Sequence, residues 1–321
     1  MTTAEPFVAA GHADSSPFDL ADAEAYRRWR AAKLASAPRG LEELIVDVAD
    51  PFALTPQERD ALLDRCARTN MVVYRGPASA ADASLPRALG RQLGLERLDA
   101  NWLAEECGIS HIAVSDRRDG DGGRGGFIPY TDRAIRWHTD GYYHPSARRI
   151  HGMILHCVRP AAEGGVNALL DHELAYIALR DVDPAHVAAL MADDAMTIPA
   201  REGDDGIARA AQSGPVFSVG AGGALHMRYT ARTRSIEWKD DAATRAAVAC
   251  LEAFLASDAA PVRRLRLEAG MGIVANNVLH ERTAFADDPR RPRLLFRARY
   301  LDRVAPAGRA GAHEDPPWRS G

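Results

Sequence analysis

The segment Trp137-His138-Thr139-Asp140-Gly141-Tyr142-Tyr143-His144-Pro145 sets an imidazole and a carboxylate two residues apart, ahead of a Gly turn and an aromatic pair. In extended backbone, residues i and i+2 project from one face. His138 and Asp140 therefore make half of a divalent-metal site at a strand end, with the other side open to a third ligand. His280, within Ala275-Asn276-Asn277-Val278-Leu279-His280-Glu281-Arg282-Thr283-Ala284-Phe285, is the best candidate for that ligand. Two histidines and one carboxylate with open positions suit a non-haem iron(II) centre. A lone His-x-Asp occurs often by chance. The strand Arg293-Leu294-Leu295-Phe296-Arg297-Ala298-Arg299-Tyr300, shortly after His280, sharpens the reading by putting Arg293 and Arg297 on one face.

Outward from these segments, composition narrows the field. The chain has 321 residues, enough for one large domain with a substantial core, and 46% hydrophobic with 26% charged residues is ordinary for a globular protein. A net charge of −4 gives no basic field for nucleic acid or for an anionic membrane. The four cysteines, Cys66, Cys107, Cys157 and Cys250, form no C-x-x-C pair, which disfavours a zinc knuckle or a disulfide framework and favours a reducing compartment. No apolar run approaches a membrane span and no signal peptide is visible, so a cytoplasmic location is the default expectation.

Element signals are local and physical. A helix is expected over Asp19–Ala35, with Tyr26, Trp29 and Lys33 along a docking edge, and a strand over Glu42–Val48. Thr55-Pro56-Gln57-Glu58 is a capping box with Pro in the first turn, opening a helix that ends at Asn70. Met71–Tyr74 reads as a buried strand and Leu85–Leu93 as a helix. The Gly- and Arg-rich run Arg117–Gly126 reads as a loop, placed where a lid over a site would lie. Ile150–Val158 is a strand on which His151 and His156 face opposite sides. Glu163-Gly164-Gly165 makes a tight turn before the strand Asn167–Leu170. Helices are expected at Leu174–Leu179, Pro184–Met191 and Ala242–Leu255, and strands at Arg263–Leu267, Gly272–Ala275 and Arg293–Leu301.

Ala224–Ser235 alternates, with His226, Arg228, Thr230, Arg232 and Arg234 on one face. That face is expected to be solvated or, at its Arg228 end, to border a pocket mouth. In the second case Arg228 and Arg234 would recognise an anionic group on a substrate, and Tyr142 and Tyr143 would form an amphipathic wall beside the metal. Many short strands with Gly and Pro turns, plus a few helices, predict a mainly β fold with flanking helices: a β-sandwich or jelly roll. No repeat or low-complexity linker divides the chain. The expected organisation is a single domain, with an extension over 1–38 carrying one helix, a core over 39–305 and a tail over 306–321.

Trp137-His138-Thr139-Asp140, Gly164-Gly165-Val166-Asn167, Leu279 to Phe285 and Arg293 to Arg297, in that order and spacing, resemble the taurine dioxygenase-like (TauD/TfdA) family of iron(II)- and 2-oxoglutarate-dependent oxygenases. The resemblance spans about Leu54 to Tyr300. It implies a double-stranded β-helix (jelly-roll) core, with Fe(II) held by His138, Asp140 and His280. Arg293 matches the family position for the distal carboxylate of 2-oxoglutarate, which suits a guanidinium fork. Arg297, on the same strand face as Arg293, could steer the metal-bound carboxylate of 2-oxoglutarate or an anionic group of the substrate. Asn167 stands where the family usually has a Thr hydroxyl facing the distal carboxylate; its amide can still donate. The implied reaction consumes O2 and 2-oxoglutarate, releases succinate and CO2, and hydroxylates an unactivated carbon of a small-molecule substrate, anionic or amino-acid-like.

Two other readings of the same residues remain open on sequence. One is a zinc- or manganese-dependent hydrolase, which lacks a His-Glu-x-x-His helix or an obvious general base here. The other is a non-catalytic jelly-roll protein that keeps its metal for structure, for which His144 is the nearest fourth ligand. The prime substrate, the choice between hydroxylation and desaturation or cyclisation, and the presence of a homo-oligomer are not encoded in any motif.

Overall fold

The structure is a computed structural model that describes residues 16–99, 108–115, 127–203, 206–220, 222–232 and 236–305. The Arg117–Gly126 loop and Arg234 lie outside these residues. Ten strands build two sheets: β1 (Ile45–Asp47), β2 (Met71–Arg75), β3 (Ser110–Ile112), β4 (Ile135–His138), β5 (Gly152–Arg159), β6 (Asn167–Leu170), β7 (Arg263–Leu265), β8 (Met271–Ala275), β9 (Leu279–Arg282) and β10 (Leu294–Tyr300). The larger sheet runs β1-β2-β8-β5-β10-β3 and the smaller β7-β6-β9-β4. Every pairing in them is antiparallel except β1 with β2.

Alternation along the strands explains how the sheets face each other. Met71, Val73, Cys157, Ile273, Ala275 and Leu295 of the larger sheet share one buried cluster with Leu169 and Leu265 of the smaller. The intervening residues, Val72, Tyr74, Ile154, Val274, Phe296 and Tyr300, face the other way and pack with Leu62 and Leu89. Those two leucines belong to helices α2 (Pro56–Thr69) and α3 (Leu85–Gln92). On the outer side of the smaller sheet, Ala168, Leu170 and Leu279 pack with residues of α4 (His172–Val182), α5 (Pro184–Leu190) and α6 (Ala242–Ala256). Period-2 residues thus fill the space between the sheets, and helices cover both outer faces.

Local signals account for most element ends. Thr55 and Glu58 form the capping box, and Asn70 closes α2 in the left-handed region at φ 58°. Helix α1 (Ala23–Ala35) starts later than expected because Asp22, not Asp19, caps it; Asp19 instead accepts from Ala21 N in the preceding turn. The first half of the expected Glu42–Val48 strand is a 3-10 turn, Leu41–Leu44, and only Ile45–Asp47 pairs. Asp171 caps α4, which starts at His172, two residues before the expected Leu174. The docking edge of α1 packs on its own chain: Tyr26 and Trp29 meet Tyr176, and Lys33 is buried in ion pairs with Asp171 and Glu173. Among the described residues, no helix is long and apolar enough to cross a membrane.

The expected alternating strand over Ala224–Ser235 needs correction. Only Leu225–Met227 is strand, paired with Phe217–Val219, and residues 225–230 are buried on both sides. Past Met227 the chain runs beside β4: Thr139 N donates to Tyr229 O, Ala231 N donates to Trp137 O, and Thr230 bridges His138. This segment extends the smaller sheet next to the proposed metal ligands, so His226, Arg228 and Thr230 of its polar face are buried, while Arg232 is exposed.

Candidate metal centre

His138 ends β4, and its cross-strand partner on β9 is His280. The two rings lie 4.1 Å apart between centroids, and Leu169 sits opposite His280 on β6. The imidazoles therefore project into the space between the sheets. Asp140 lies beyond the strand, in the turn that follows. Ligand atoms of His138, Asp140 and His280 all fall within 4.8 Å of one another, the one such grouping among the described residues.

Each of the three side chains is held in a form able to bind a metal. Nδ1 of His138 donates to the Arg136 carbonyl at 2.9 Å, and Nδ1 of His280 donates to the Val278 carbonyl at 2.9 Å, leaving Nε2 free on both rings. Burial, reinforced by the neighbouring His280 ring, pushes the His138 imidazole down to about 3, and burial lowers His280 as well. Both rings are neutral at neutral pH. Burial alone would oppose ionisation of Asp140, but Arg297 and Arg299 outweigh it and hold the carboxyl well below its usual range. Arg297 Nη1 donates to Asp140 Oδ1 at 3.2 Å, whereas Oδ2 is buried with no hydrogen-bond partner. An orphaned carboxylate oxygen facing two free imidazole nitrogens costs energy unless a cation answers it. Two neutral imidazoles and one carboxylate fit iron(II) with positions left open.

The turn after His138 is fixed by a residue the sequence reading passed over. Asn277 Oδ1 accepts from Asp140 N at 2.7 Å, and its Nδ2 donates to Asp140 O at 2.9 Å and to Ile150 O at 2.7 Å. Asn277 sits in the left-handed region at φ 49°, a conformation that Asn tolerates better than most residues. The Asn276-Asn277 pair ahead of His280 was the available signal. Gly141, at φ 67°, completes the turn, where a Cβ would collide with Ile150 and His144. His144 turns away from the centre, with Nε2 3.4 Å from Asp99, so it does not complete a fourth coordination.

Arg293 enters β10 on the same side of the larger sheet as Leu295 and Arg297. It is 4% exposed, its guanidinium lies 4.9 Å from the Phe285 ring, and Nη1 is buried without a partner. Burial pushes it down to about 10, so it stays charged at neutral pH and makes no ion pair among the described residues. A Cβ on Gly165 would be 3.8 Å from Arg293 Nε, which sets the guanidinium against the Gly164-Gly165 turn that leads into Asn167. Asn167 is buried beside Arg282 on β9. Arg282, unremarked in the sequence reading, lies 4.7 Å from the same Phe285 ring and donates to the Thr131 and Arg133 carbonyls.

The residues expected to meet substrate divide. Tyr142 and Tyr143 flank the turn, with rings 5.2 Å apart, and the Tyr143 hydroxyl accepts from Arg299 Nη1 at 2.9 Å. Arg299 also pairs with the buried Asp99, which Arg148 reaches from the other side at 2.7 Å. Arg228 does not border a pocket mouth with a free guanidinium. Its Nε donates to Tyr142 O, Nη1 to Met196 O and Gly214 O, and Nη2 to Gln212 O. Burial made those carbonyls need a donor, and the guanidinium supplies it. Arg228 thus ties the Tyr142 turn to two neighbouring strands.

Comparison with known proteins gives three results. The family model described as "Taurine catabolism dioxygenase TauD, TfdA family" matches residues 32–299. Two curated relatives are uridine-5'-phosphate dioxygenases. The one from Streptomyces sp is 35% identical over 178 residues, 53% of this chain and 62% of that protein, so the match spans less than two thirds of its length. The one from Amycolatopsis sp is 32% identical over 236 residues, 71% of this chain and 82% of that protein. Among solved structures, asparagine oxygenase in complex with Fe(II), 2S,3S-3-hydroxyasparagine and succinate shares a TM-score of 0.53 at 17% identity, covering 91% of this chain and 87% of that one. The non-heme iron oxygenase OrfP in complex with Fe and alpha-ketoglutaric acid gives 0.53 at 18%, covering 89% and 90%. At that identity the structural likeness speaks to the fold alone.

Proposed function

The chain belongs to the TauD, TfdA family of dioxygenases, and from that membership we propose that it is an iron(II)- and 2-oxoglutarate-dependent dioxygenase acting on a small phosphorylated anion of the uridine 5'-phosphate class. The observation that carries the reading is a pair of unpartnered buried polar atoms. Among the described residues, Asp140 Oδ2 has no hydrogen-bond partner beside two free imidazole nitrogens, and Arg293 Nη1 has none either. A cation answers the first and the distal carboxylate of 2-oxoglutarate answers the second. In this reading the two facing sheets form the double-stranded β-helix, or jelly roll, of the family.

When bound, iron(II) and 2-oxoglutarate supply the O2 chemistry that oxidises a carbon–hydrogen bond of the substrate, with release of succinate and CO2. The chain's own residues bind and orient. His138, Asp140 and His280 hold the metal on one side, and their carbonyl partners Arg136 and Val278 fix each ring's tautomer. Arg293 takes the distal carboxylate as a two-pronged pair, and Asn167, two residues past the Gly165 that lies against its guanidinium, offers an amide donor. Arg297 keeps one Asp140 oxygen occupied, which leaves the other for the metal. The apolar residues between the sheets, Leu169 and Leu295 among them, keep water from the chelate.

For the substrate, the two uridine-5'-phosphate dioxygenases at 32% and 35% identity outweigh the amino-acid oxygenases at 17% and 18%. Without oxygen, protein given iron(II) and 2-oxoglutarate should develop a weak visible absorption band that His280→Ala lacks. With oxygen, uridine 5'-phosphate should accelerate succinate release. Iron binding with no band at any 2-oxoglutarate concentration would refute the oxygenase reading. A band with no response to uridine 5'-phosphate would refute the substrate class alone.

A further inference from the structure

Arg293, at the entry to β10, and Arg297 and Arg299 within it share the face turned toward the smaller sheet. Arg293 stands against the Gly164-Gly165 turn, and Arg297 donates to Asp140. Arg299, one step further along that face, donates from Nη1 to the Tyr143 hydroxyl at 2.9 Å. Alternate residues of a strand are about 7 Å apart. The order along β10 therefore puts the Tyr143 hydroxyl beyond Asp140, at the end away from the Arg293 position proposed for the distal carboxylate of 2-oxoglutarate. A guanidinium has only donors, so the Tyr143 oxygen is the acceptor in its bond to Arg299 and its own proton points elsewhere. Among the described residues that proton has no acceptor. Accepting from a cation also polarises the phenol and strengthens its O–H as a donor.

The ring and its partner are both fixed. Around the Tyr143 centroid lie the Tyr142 ring at 5.2 Å, the His144 ring at 4.8 Å and the Arg209 guanidinium carbon at 5.7 Å. Asp99, 1% exposed, accepts from Arg299 Nη2 on one carboxylate oxygen and from Arg148 Nη2 on the other, and lies 3.4 Å from His144 Nε2. Its backbone N donates to Arg299 O at 2.8 Å. One buried carboxylate thus ties β10 to both ends of the segment Tyr143–Arg148 that follows the metal turn. Buried ion pairs add little net stability over apolar replacements, so what this one contributes is geometry.

We propose that the Tyr143 hydroxyl donates a hydrogen bond to an acceptor oxygen of the prime substrate, and that Arg299 and Asp99 are the positioning residues that aim it. Tyr143 in this role deepens the substrate class proposed above, on which it rests. A substrate of the uridine 5'-phosphate class brings phosphate, ribose and pyrimidine carbonyl oxygens, all of which accept from a phenol.

The test is calorimetric titration, without oxygen, of protein loaded with iron(II) and 2-oxoglutarate. Tyr143→Phe keeps the ring and loses only the hydroxyl. It should weaken uridine 5'-phosphate binding about 5- to 50-fold, within the range for one hydrogen bond to a neutral or charged partner, while 2-oxoglutarate binds as in wild type. Asp99→Asn should show much of the same loss, and adding it to Tyr143→Phe should weaken binding little further, because both act through one bond. Uridine separates the acceptors: an equal loss for uridine puts the bond on the nucleoside, and a loss confined to uridine 5'-phosphate puts it on the phosphate. Unchanged uridine 5'-phosphate affinity in Tyr143→Phe overturns the donor role while leaving the enzyme's proposed function intact. Additive losses in the double variant overturn the positioning role of Asp99. Wild-type protein that binds 2-oxoglutarate but not uridine 5'-phosphate overturns the substrate class and the donor role together. Should Asp99→Asn fail to fold, Arg299→Lys takes its place in the cycle, since it keeps the charge but loses the planar fork that joins phenol to carboxylate.

Discussion

Replacing Arg293 with Leu should separate two quantities that usually fall together, stability and ligand affinity. The guanidinium is 4% exposed, has an orphaned Nη1 and is pushed down to about 10 by burial. At about 1.4 kcal/mol for each tenfold change in proton affinity, holding that charge costs the empty protein on the order of 3 kcal/mol. Leu removes the cost but also loses the face-on contact with Phe285, worth about 1–2 kcal/mol when desolvated. Protein without 2-oxoglutarate should therefore be as stable as wild type or about 1–2 kcal/mol more stable, by the difference of those terms. The same substitution leaves the distal carboxylate buried without its partner, a loss of about 2–5 kcal/mol, or roughly 30-fold or more in affinity. Urea unfolding without ligand measures the first quantity, and titration of the visible band with 2-oxoglutarate the second. A variant that is clearly destabilised when empty, yet binds 2-oxoglutarate as wild type does, would show that the protein itself satisfies Arg293 and that the co-substrate does not.

Three further outcomes follow from the geometry. Asn277→Ala removes the bonds to Asp140 N, Asp140 O and Ile150 O and puts Ala at a positive φ; unfolding should show a loss of about 3–5 kcal/mol, with weakened metal affinity in the material that remains folded. Arg228→Gln strands several buried carbonyls and should cost about 3 kcal/mol or more in unfolding experiments while leaving KM for the substrate near wild type; a raised KM at unchanged stability would restore the role in substrate binding that the structure argues against. Metal-free protein should lose stability as pH falls below about 6.5, because the unfolded chain takes up protons there that His151 refuses until about 4 and His138 until about 3. Stability therefore rises with pH across that window, and a flat Tm from pH 7 to pH 4 would contradict the burial of these rings.

Strand periodicity and turn chemistry made much of this fold legible. The Thr55–Glu58 box, Asn70 at the end of α2 and the two-faced strands around Met71, Ile154 and Ile273 are written locally, and the structure follows them. The His138–Asp140–His280 cluster was legible for a similar reason: a strand-end spacing and a second histidine before a basic strand. What failed was the segment around Arg228. Alternation there was real, but period 2 says only that two faces exist, not that either meets water. Here one face meets the helices, and the carbonyls of Met196, Gln212 and Gly214 converge on the other from distant parts of the chain. Asn277 escaped for the complementary reason. Its importance comes from three backbone groups on two residues more than a hundred positions away, which no local pattern reports.

The antiparallel pairing that sets His138 opposite His280 also slips register between His280 and Arg282, whereas β9 stays in step with β6 along its whole length. The two histidines are thus indexed to each other and to β6, not to the connections on either side. Segments before Ile135 and after Arg282 can lengthen, shorten or exchange without moving one ring relative to the other. A lineage drawing on this scaffold is free to vary the loops that choose a substrate while its oxidising centre is inherited unchanged.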